Sequence, residues 1–269
     1  MGRTRKKRAG WLIWSLGVCC LVAAVLAADA FLIEPNWIDV SRYNVPARVQ
    51  APLKIAQLSD LHTYGLGWRE RRMLKILDDE KPDVILITGD TLASKGGNYE
   101  MCRQVYEKLH APLGVWFARG NWENWRPVRH EREYYQSAAI HLLVNQSAKL
   151  RDDVWLAGLD DPLTGTPLLD KALHGIPEGA FTIVMLHSPG YFHRIAGQMD
   201  LCLTGHTHGG QVRIPFMYPL WLPGGVGRYL EGWYVERGTR MYVSRGLGMS
   251  VFPVRFNCRP ELVFITLQP

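Results

Sequence analysis

The sequence predicts an α/β domain behind one N-terminal transmembrane helix. Five basic residues precede an apolar run of membrane-crossing length. After Pro35, short β-rich runs recur between segments of helical periodicity, an alternation that points to an α/β chain rather than an all-helical or all-β one. Residues able to bind metal stand just past the ends of several of those β-rich runs.

Residues 1–10 form a basic segment. Arg3, Arg5, Lys6, Lys7 and Arg8 supply five positive charges of a net +6, so the rest of the chain carries +1. That balance speaks against nucleic acid as a partner, which needs a basic patch on the folded domain. Residues 11–33 read as the anchor: positions 11–28 are uncharged, and the run resumes after Asp29 as Ala30-Phe31-Leu32-Ile33. A spanning helix needs about 20 such residues. A cleaved signal peptide is the rival reading, because Ala28-Asp29-Ala30 has the small-x-small form of a cleavage site. The run exceeds the roughly 7–15 residues of a signal core, which favours an uncleaved, single-pass anchor in the lipid bilayer. The basic cluster before it predicts a cytoplasmic N-terminus and a folded domain on the non-cytoplasmic face.

Residues 34–50 read as a polar connection and 51–269 as one domain with room for a large core. Helices are expected over 68–80, through Met73, Ile76 and Leu77 with Pro82 as the stop, over 99–109, through Cys102, Val105, Tyr106 and Leu109, and over 129–139. Strand-like runs stand at 53–58, 84–87, 115–118, 154–159, 181–186, 201–204, 241–244 and 262–265, and their density in the second half suggests a second sheet. The stretch from Pro215 to Tyr234 is too long for a simple turn, and loops of that length are usually functional. Its Phe216, Met217, Tyr218, Leu220, Trp221 and Leu222 suit an acyl-chain groove, a bilayer contact or packing beneath a long loop. Cys19 and Cys20 lie in the anchor; Cys102, Cys202 and Cys258 make an odd set without metal-type spacing, which does not suit a disulfide framework.

The stretch Gly205-His206-Thr207-His208-Gly209-Gly210 places two imidazoles one residue apart on a glycine-flanked turn, so they can serve two neighbouring ions. Asp60 and His62 follow the first strand-like run, Asp90 the second, Asn121 the third and His187 the run at 181–186. Ligands at the carboxyl ends of several strands converge in the crevice where open α/β sheets bind. Carboxylate, amide oxygen and imidazole together suit Mn²⁺, Fe or Zn²⁺ better than Ca²⁺. A carboxylate such as Asp90 can bridge two ions about 3.5–4 Å apart.

In order, Asp60-Leu61-His62, Gly89-Asp90, Gly120-Asn121, His187 and Gly205-His206-Thr207-His208 match the signature of the calcineurin-like metallophosphoesterases, and the chain resembles that family over roughly residues 51–267. Gly158-Leu159-Asp160-Asp161-Pro162, Gly209-Gly210-Gln211-Val212-Arg213 and Ser244-Arg245-Gly246-Leu247-Gly248 resemble its membrane-anchored phosphodiesterase branch. That branch is similar to enzymes that cleave UDP-2,3-diacylglucosamine in lipid A synthesis. The resemblance implies a four-layer αββα sandwich over 51–269 and two divalent metal ions. Asp60, His62 and His208 would hold the first, Asn121, His187 and His206 the second, with Asp90 bridging. It further implies hydrolysis of phosphodiester or pyrophosphate bonds by a hydroxide held between the ions, on a lipid-linked or envelope substrate. The alternative is a catalytically weak metal-binding scaffold of the same fold.

One position departs from the family, whose Gly-Asn-His-Asp/Glu block reads Gly120-Asn121-Trp122-Glu123 here. Beside Asp90 and Asn121, the third catalytic position is therefore Trp122, and indole offers one N–H donor but relays no proton at neutral pH. An alkoxide leaving group needs that proton. A phosphate monoester leaving from a pyrophosphate, with a second pKa of about 6, does not. The sequence therefore favours a pyrophosphate or an activated diester, with Glu123, His130 and His141 as candidate substitute acids. Arg119 and Arg245 are candidate substrate contacts, Asp160 and Asp161 suit either a turn or support of the site, and His110, His174 and His193 read as surface residues.

Overall fold

The computed structural model describes residues 2–93 and 96–269. Helix α1 (Gly2–Ala28) runs on through a π-turn (Asp29–Ile33) and a 3₁₀ turn (Glu34–Asn36). Its segment Ile13–Asn36 is long and apolar enough to cross a membrane. Ile13, Trp14, Leu16 and Leu21 are all exposed there, so among the described side chains no side of this helix is buried against the domain as a core helix would be.

Twelve strands follow among the described residues: β1 (Asp39–Pro46), β2 (Leu53–Leu58), β3 (Val84–Ile87), β4 (Val115–Phe117), β5 (Ile140–Leu142), β6 (Gln146–Arg151), β7 (Val154–Gly158), β8 (Phe181–Met185), β9 (Leu201–Thr204), β10 (Gly232–Glu236), β11 (Thr239–Val243) and β12 (Glu261–Gln268). They form two six-stranded sheets, ordered β1-β12-β2-β3-β4-β5 and β10-β11-β9-β8-β7-β6. Strands β2 to β5 run parallel, as do β7, β8, β9 and β11. Helices α2 (Trp68–Glu80), α3 (Tyr99–Tyr106), α4 (Asn121–Trp125) and α5 (Glu131–Ser137) belong to the first half, α6 (Leu169–Leu173) and α7 (Phe192–Ile195) to the second.

Period-two alternation assigns the layers. In β3, Ile85 and Ile87 pack on the first sheet's helices with Met73, Leu77, Val105, Tyr106 and Tyr135, while Leu86 faces the other sheet. The core between the sheets joins Ile55, Leu86 and Ile265 to Leu156, Ile183, Met185 and Leu203. On the far side, Val184, Cys202 and Met241 pack with Leu169, Ala172, Phe192 and Ile195. Helix, sheet, sheet and helix therefore stack in four layers.

Helix α2 ends as its sequence directs: Lys81 takes the left-handed conformation (φ 48°) directly before Pro82. Other elements differ from expectation. Residues 39–46, read as part of a connection, are β1, paired residue for residue with β12. Helix α3 stops at Tyr106, three residues short of Leu109, and α5 covers only Glu131–Ser137 of the expected 129–139. All five cysteines are free.

Candidate metal centre

Five strands deliver the candidate ligands to one edge of the stacked sheets. Asp60 and His62 follow β2, Asp90 follows β3 and Asn121 follows β4; His187 follows β8, and His206 and His208 follow β9. The side chain of Gln57 ties the sheets there, donating to the Thr204 carbonyl at 2.9 Å. Five of the seven have left-handed backbones: Asp60, His62, Asp90, His206 and His208, with φ between 38° and 69°. Such a conformation costs a residue other than glycine about 1–3 kcal/mol and persists where the surroundings enforce it, typically at functional sites.

The side chains fall into two adjoining triads that could each hold an ion, Asp60–His62–His208 and Asp90–His187–His206. Both are buried. The Nε2 atoms of His62 and His208 stand 3.3 Å apart, and His206 Nδ1 stands 3.2 Å from His187 Nε2. Asp90 Oδ2 lies 3.2 Å from His187 Nε2 and 3.8 Å from His62 Nε2, so one oxygen faces both triads. Its other oxygen accepts the Trp122 backbone N–H at 2.9 Å.

Backbone carbonyls set the histidine tautomers. His62 Nδ1 faces Leu92 O at 3.0 Å, His187 Nδ1 faces Thr88 O at 2.7 Å and His206 Nε2 faces Gly224 O at 2.7 Å. Each of these nitrogens carries a proton and turns the opposite nitrogen into the cluster: on His62 and His206 that nitrogen offers its lone pair, and on His187 it holds a second proton beside Asp90 that a bound cation would replace, the usual arrangement around a metal-ligating imidazole. Burial holds His62 and His206 down to about 4 and pushes His208 well below the ordinary histidine value, so these rings are neutral at pH 7. Burial raises the Asp90 carboxyl to about 7. Burial also opposes charge on His187, yet the adjacent Asp90 and Asp60 carboxylates overcome it and keep that ring well above its usual value. The Asn121 Oδ1 atom is buried without a hydrogen-bond partner. Converging lone pairs, crowded carboxylates and an orphaned amide oxygen form a donor set that fits divalent cations.

Neighbouring groups hold the ligands in place. Ser59 Oγ donates to Asp60 Oδ2 at 2.6 Å, and the His206 N–H donates to the same oxygen at 2.9 Å. Gly205 permits this approach, since a Cβ there would lie 1.8 Å from Ser59 Oγ. Glu123 accepts from the backbone N–H groups of Asp90, Thr91 and Gly120 and from the Thr91 hydroxyl, each at 2.9 Å. Sequence reasoning made it a candidate acid, but its lone pairs are spent on pinning the β3 and β4 loops. The backbone donors it serves cannot be read from side-chain pattern.

A cavity of about 410 Å³ opens over the cluster, lined by Asp90, Asn121, His206 and His208 below and by Trp122, Trp125, Leu163, Trp221 and Val251 around the sides. Trp125, three residues after Trp122 on α4, packs edge-on to it with ring centroids 5.2 Å apart. Neither Arg119 nor Arg245 lines the cavity. The first is paired with Glu131 and lies 3.8 Å from Asp160, and the second faces Asp39, Glu231 and Glu261. His130 and His141 are exposed and outside the cavity, and His110, His174 and His193 lie on the surface as expected. Asp161 both forms its turn, accepting from the Leu163 and Thr164 N–H groups, and accepts from Ser188 Oγ beside His187.

Fold and site together define a metallophosphoesterase. The chain belongs to the calcineurin-like phosphoesterase family, which matches residues 53–210. Among its relatives, the uncharacterized metallophosphoesterase YkuE of Bacillus subtilis (strain 168) is 29% identical over 258 residues, covering 88% of this chain and 87% of YkuE. The phosphodiesterase YaeI of Escherichia coli (strain K12) is 28% identical over 261 residues, covering 87% and 90% of the two chains. A Bos taurus transmembrane protein with metallophosphoesterase domain is 28% identical over 275 residues, covering 92% of this chain and 61% of its own. The protein is a hydrolase of that family, with candidate ligands for divalent metals.

Proposed function

We propose that the protein hydrolyses phosphodiester or pyrophosphate bonds of a lipid-linked substrate at the Asp60–His208 cluster, with Asn121 as a further ligand beside the second triad. The observation that carries the reading is Asp90 Oδ2 facing both triads, 3.2 Å from His187 and 3.8 Å from His62. Two divalent ions bound there supply a water nucleophile at neutral pH and neutralise the charge on phosphoryl oxygens. The chain's own part is positional. The Trp122 N–H fixes one Asp90 oxygen and thereby aims the other, the three carbonyls fix the imidazoles, and the apolar walls exclude water from one side of the cavity. Apart from the ligand set, no acid or base lines that cavity among the described residues. A leaving group that departs as a stable anion, as in a pyrophosphate or an activated diester, matches this lining.

The test is hydrolysis of bis(p-nitrophenyl) phosphate with Mn²⁺ by the full-length protein. Wild type should turn over and Asp90→Asn should not; equal rates would overturn the reading. A sugar-nucleotide pyrophosphate should be preferred over a simple dialkyl diester, and the reverse preference would remove the leaving-group argument. The basic residues ahead of the apolar run support a catalytic domain on the non-cytoplasmic face, away from where UDP-linked precursors are made. A C-terminal reporter fusion active only in the cytoplasm would reverse that orientation and favour UDP-2,3-diacylglucosamine as substrate.

A further inference from the structure

Two loops beside the cavity carry no charge at all: 214–227, between Arg213 and Arg228, and 246–254, between Arg245 and Arg255. Val226 and Leu247 are buried, but most of the other large apolar side chains are not tucked beneath the loops. Phe216 is fully exposed, and Tyr218 (64%), Leu220 (69%) and Phe252 (65%) are mostly so, with Met217, Trp221 and Val251 also in the open. Contiguous exposed apolar surface of this kind marks a protein or membrane contact.

Hydrogen bonds place both loops at the end of the anchor. Gln211, three residues before the first loop, holds the second, its Nε2 donating to Phe252 O at 2.9 Å while its Oε1 accepts from Ser250 N at 2.9 Å. The Arg255 N–H donates to Ala30 O at 3.0 Å, and the Glu34 carboxylate accepts from the backbone N–H groups of Asn257 and Cys258. Pro215 shares a cleft with Asp29, Glu34 and Arg259. The connection is short as well, since only Trp37 and Ile38 separate the last helical turn from β1. Half-exposed Trp37 lies beneath the Arg259 guanidinium, 4.6 Å from its ring centroid, and such an aromatic–cation pair suits the headgroup level.

We propose that the 214–222 loop, together with Val251 and Phe252, dips into the leaflet next to the end of α1, so that the cavity opens onto the lipid surface. The occupant of this apolar face is the bilayer that the anchor crosses, because the face is continuous with the spanning segment and carries no charge for a partner protein to pair with. Trp221 and Val251 belong both to this surface and to the cavity wall above Asp90 and His208. An amphiphilic substrate could therefore reach the ligands without leaving the membrane. That consequence rests on the proposed activity, whereas the contact itself does not, so the two can fail separately.

The test uses the full chain in phosphatidylcholine–phosphatidylglycerol nanodiscs, in a Cys19→Ser, Cys20→Ser background. Nitroxides are attached at Met217→Cys, Tyr218→Cys or Phe252→Cys, and at Asp152→Cys in the β6–β7 turn, at the opposite end of the strands from the ligands. Far-UV circular dichroism checks that each labelled protein keeps its fold, and three loop positions guard against one that does not. Power-saturation EPR should show the loop labels more accessible to oxygen than to a water-soluble nickel chelate, with the order reversed at 152. Nickel accessibility at the loop equal to that at 152 would overturn the proposal. So would dipolar broadening between loop labels, which would assign the face to a second copy of the chain.

Discussion

Glu123→Gln tests the pin beneath Asp90. The carboxylate's Oε2 accepts the Asp90 and Gly120 N–H groups and its Oε1 accepts the Thr91 N–H and hydroxyl, all at 2.9 Å in a buried site. Glutamine keeps one acceptor oxygen and turns the other into a donor. In its least costly orientation the oxygen stays with Asp90 and Gly120, the Thr91 hydroxyl rotates to accept, and the Thr91 N–H is left facing an N–H₂. A buried N–H without a partner costs about 1–3 kcal/mol. Losing the charge on the two remaining backbone bonds costs about 1 kcal/mol each. The total, about 3–5 kcal/mol, is a large share of the roughly 5–15 kcal/mol that stabilises an ordinary domain. It corresponds to a fall in Tm of about 6–20 °C at this chain length. Near-UV circular dichroism of the detergent-solubilised protein measures the melt, and elemental analysis measures metal per chain, which should fall because the Asp90 backbone loses its support. A Tm within about 2 °C of wild type together with full metal content would refute the pin. If kcat alone fell in such a protein, Glu123 would instead be acting as an acid.

Three further substitutions separate chemistry from scaffolding. Trp122→His leaves the backbone N–H to Asp90 intact, so metal content should be retained while kcat on an alkyl diester rises by about 10²–10⁴; an unchanged ratio of alkyl-diester to pyrophosphate rates would count against the leaving-group argument. Arg119 is already paired with Glu131, and Asp160 lies 3.8 Å away. Arg119→Ala should therefore change KM by less than about threefold, and a tenfold or larger rise would restore it as a substrate contact. Gly205→Ala drives a methyl to within 1.8 Å of Ser59 Oγ and 2.3 Å of Asp60 Oδ2. The turn bearing both histidines must then move, and the protein should be recovered without bound metal if it folds at all; normal metal content would show that the turn yields more easily than its contacts indicate.

The strands missed in the sequence share a position in the fold. Strands β1, β5, β6 and β10 are the four sheet edges, and the eight interior strands were all legible. An interior strand is buried on both faces, as in the Val84–Ile87 run, and announces itself as a continuous apolar stretch. Edge strands need no such stretch. The side chains of β1 and β10 are largely half-exposed, so neither Asp39–Pro46 nor Gly232–Glu236 forms a continuous apolar stretch. Pairing with β12 defines β1, and that partner lies more than 200 residues away.

The same distinction separates the legible half of the site from the hidden half. Metal ligands must stand where strands end, and the ordered blocks at 60–62, 90, 121, 187 and 206–208 carry their spacing in plain view. The cavity walls obey no local rule: Trp122 on α4 and Leu163, Trp221 and Val251 on three separate loops come from four distant segments, and none is periodic with the others. The sequence singled out Trp122 by its departure from the family block and Trp221 as one of several apolar residues of a long loop, while Trp125, Leu163 and Val251 carried no signal. The substitution that looked like a loss in the sequence has a positive role in the fold. Trp122 keeps the one contact its position owes to Asp90, through its backbone, and its indole joins Trp125, Leu163 and Trp221 in an apolar wall that a histidine would interrupt. Under the proposed function, apolar surface in place of a proton relay at that point forgoes a general acid and offers grip on an apolar part of the substrate. On the proposed reading both features suit one class of substrate, an amphiphile whose leaving group needs no proton.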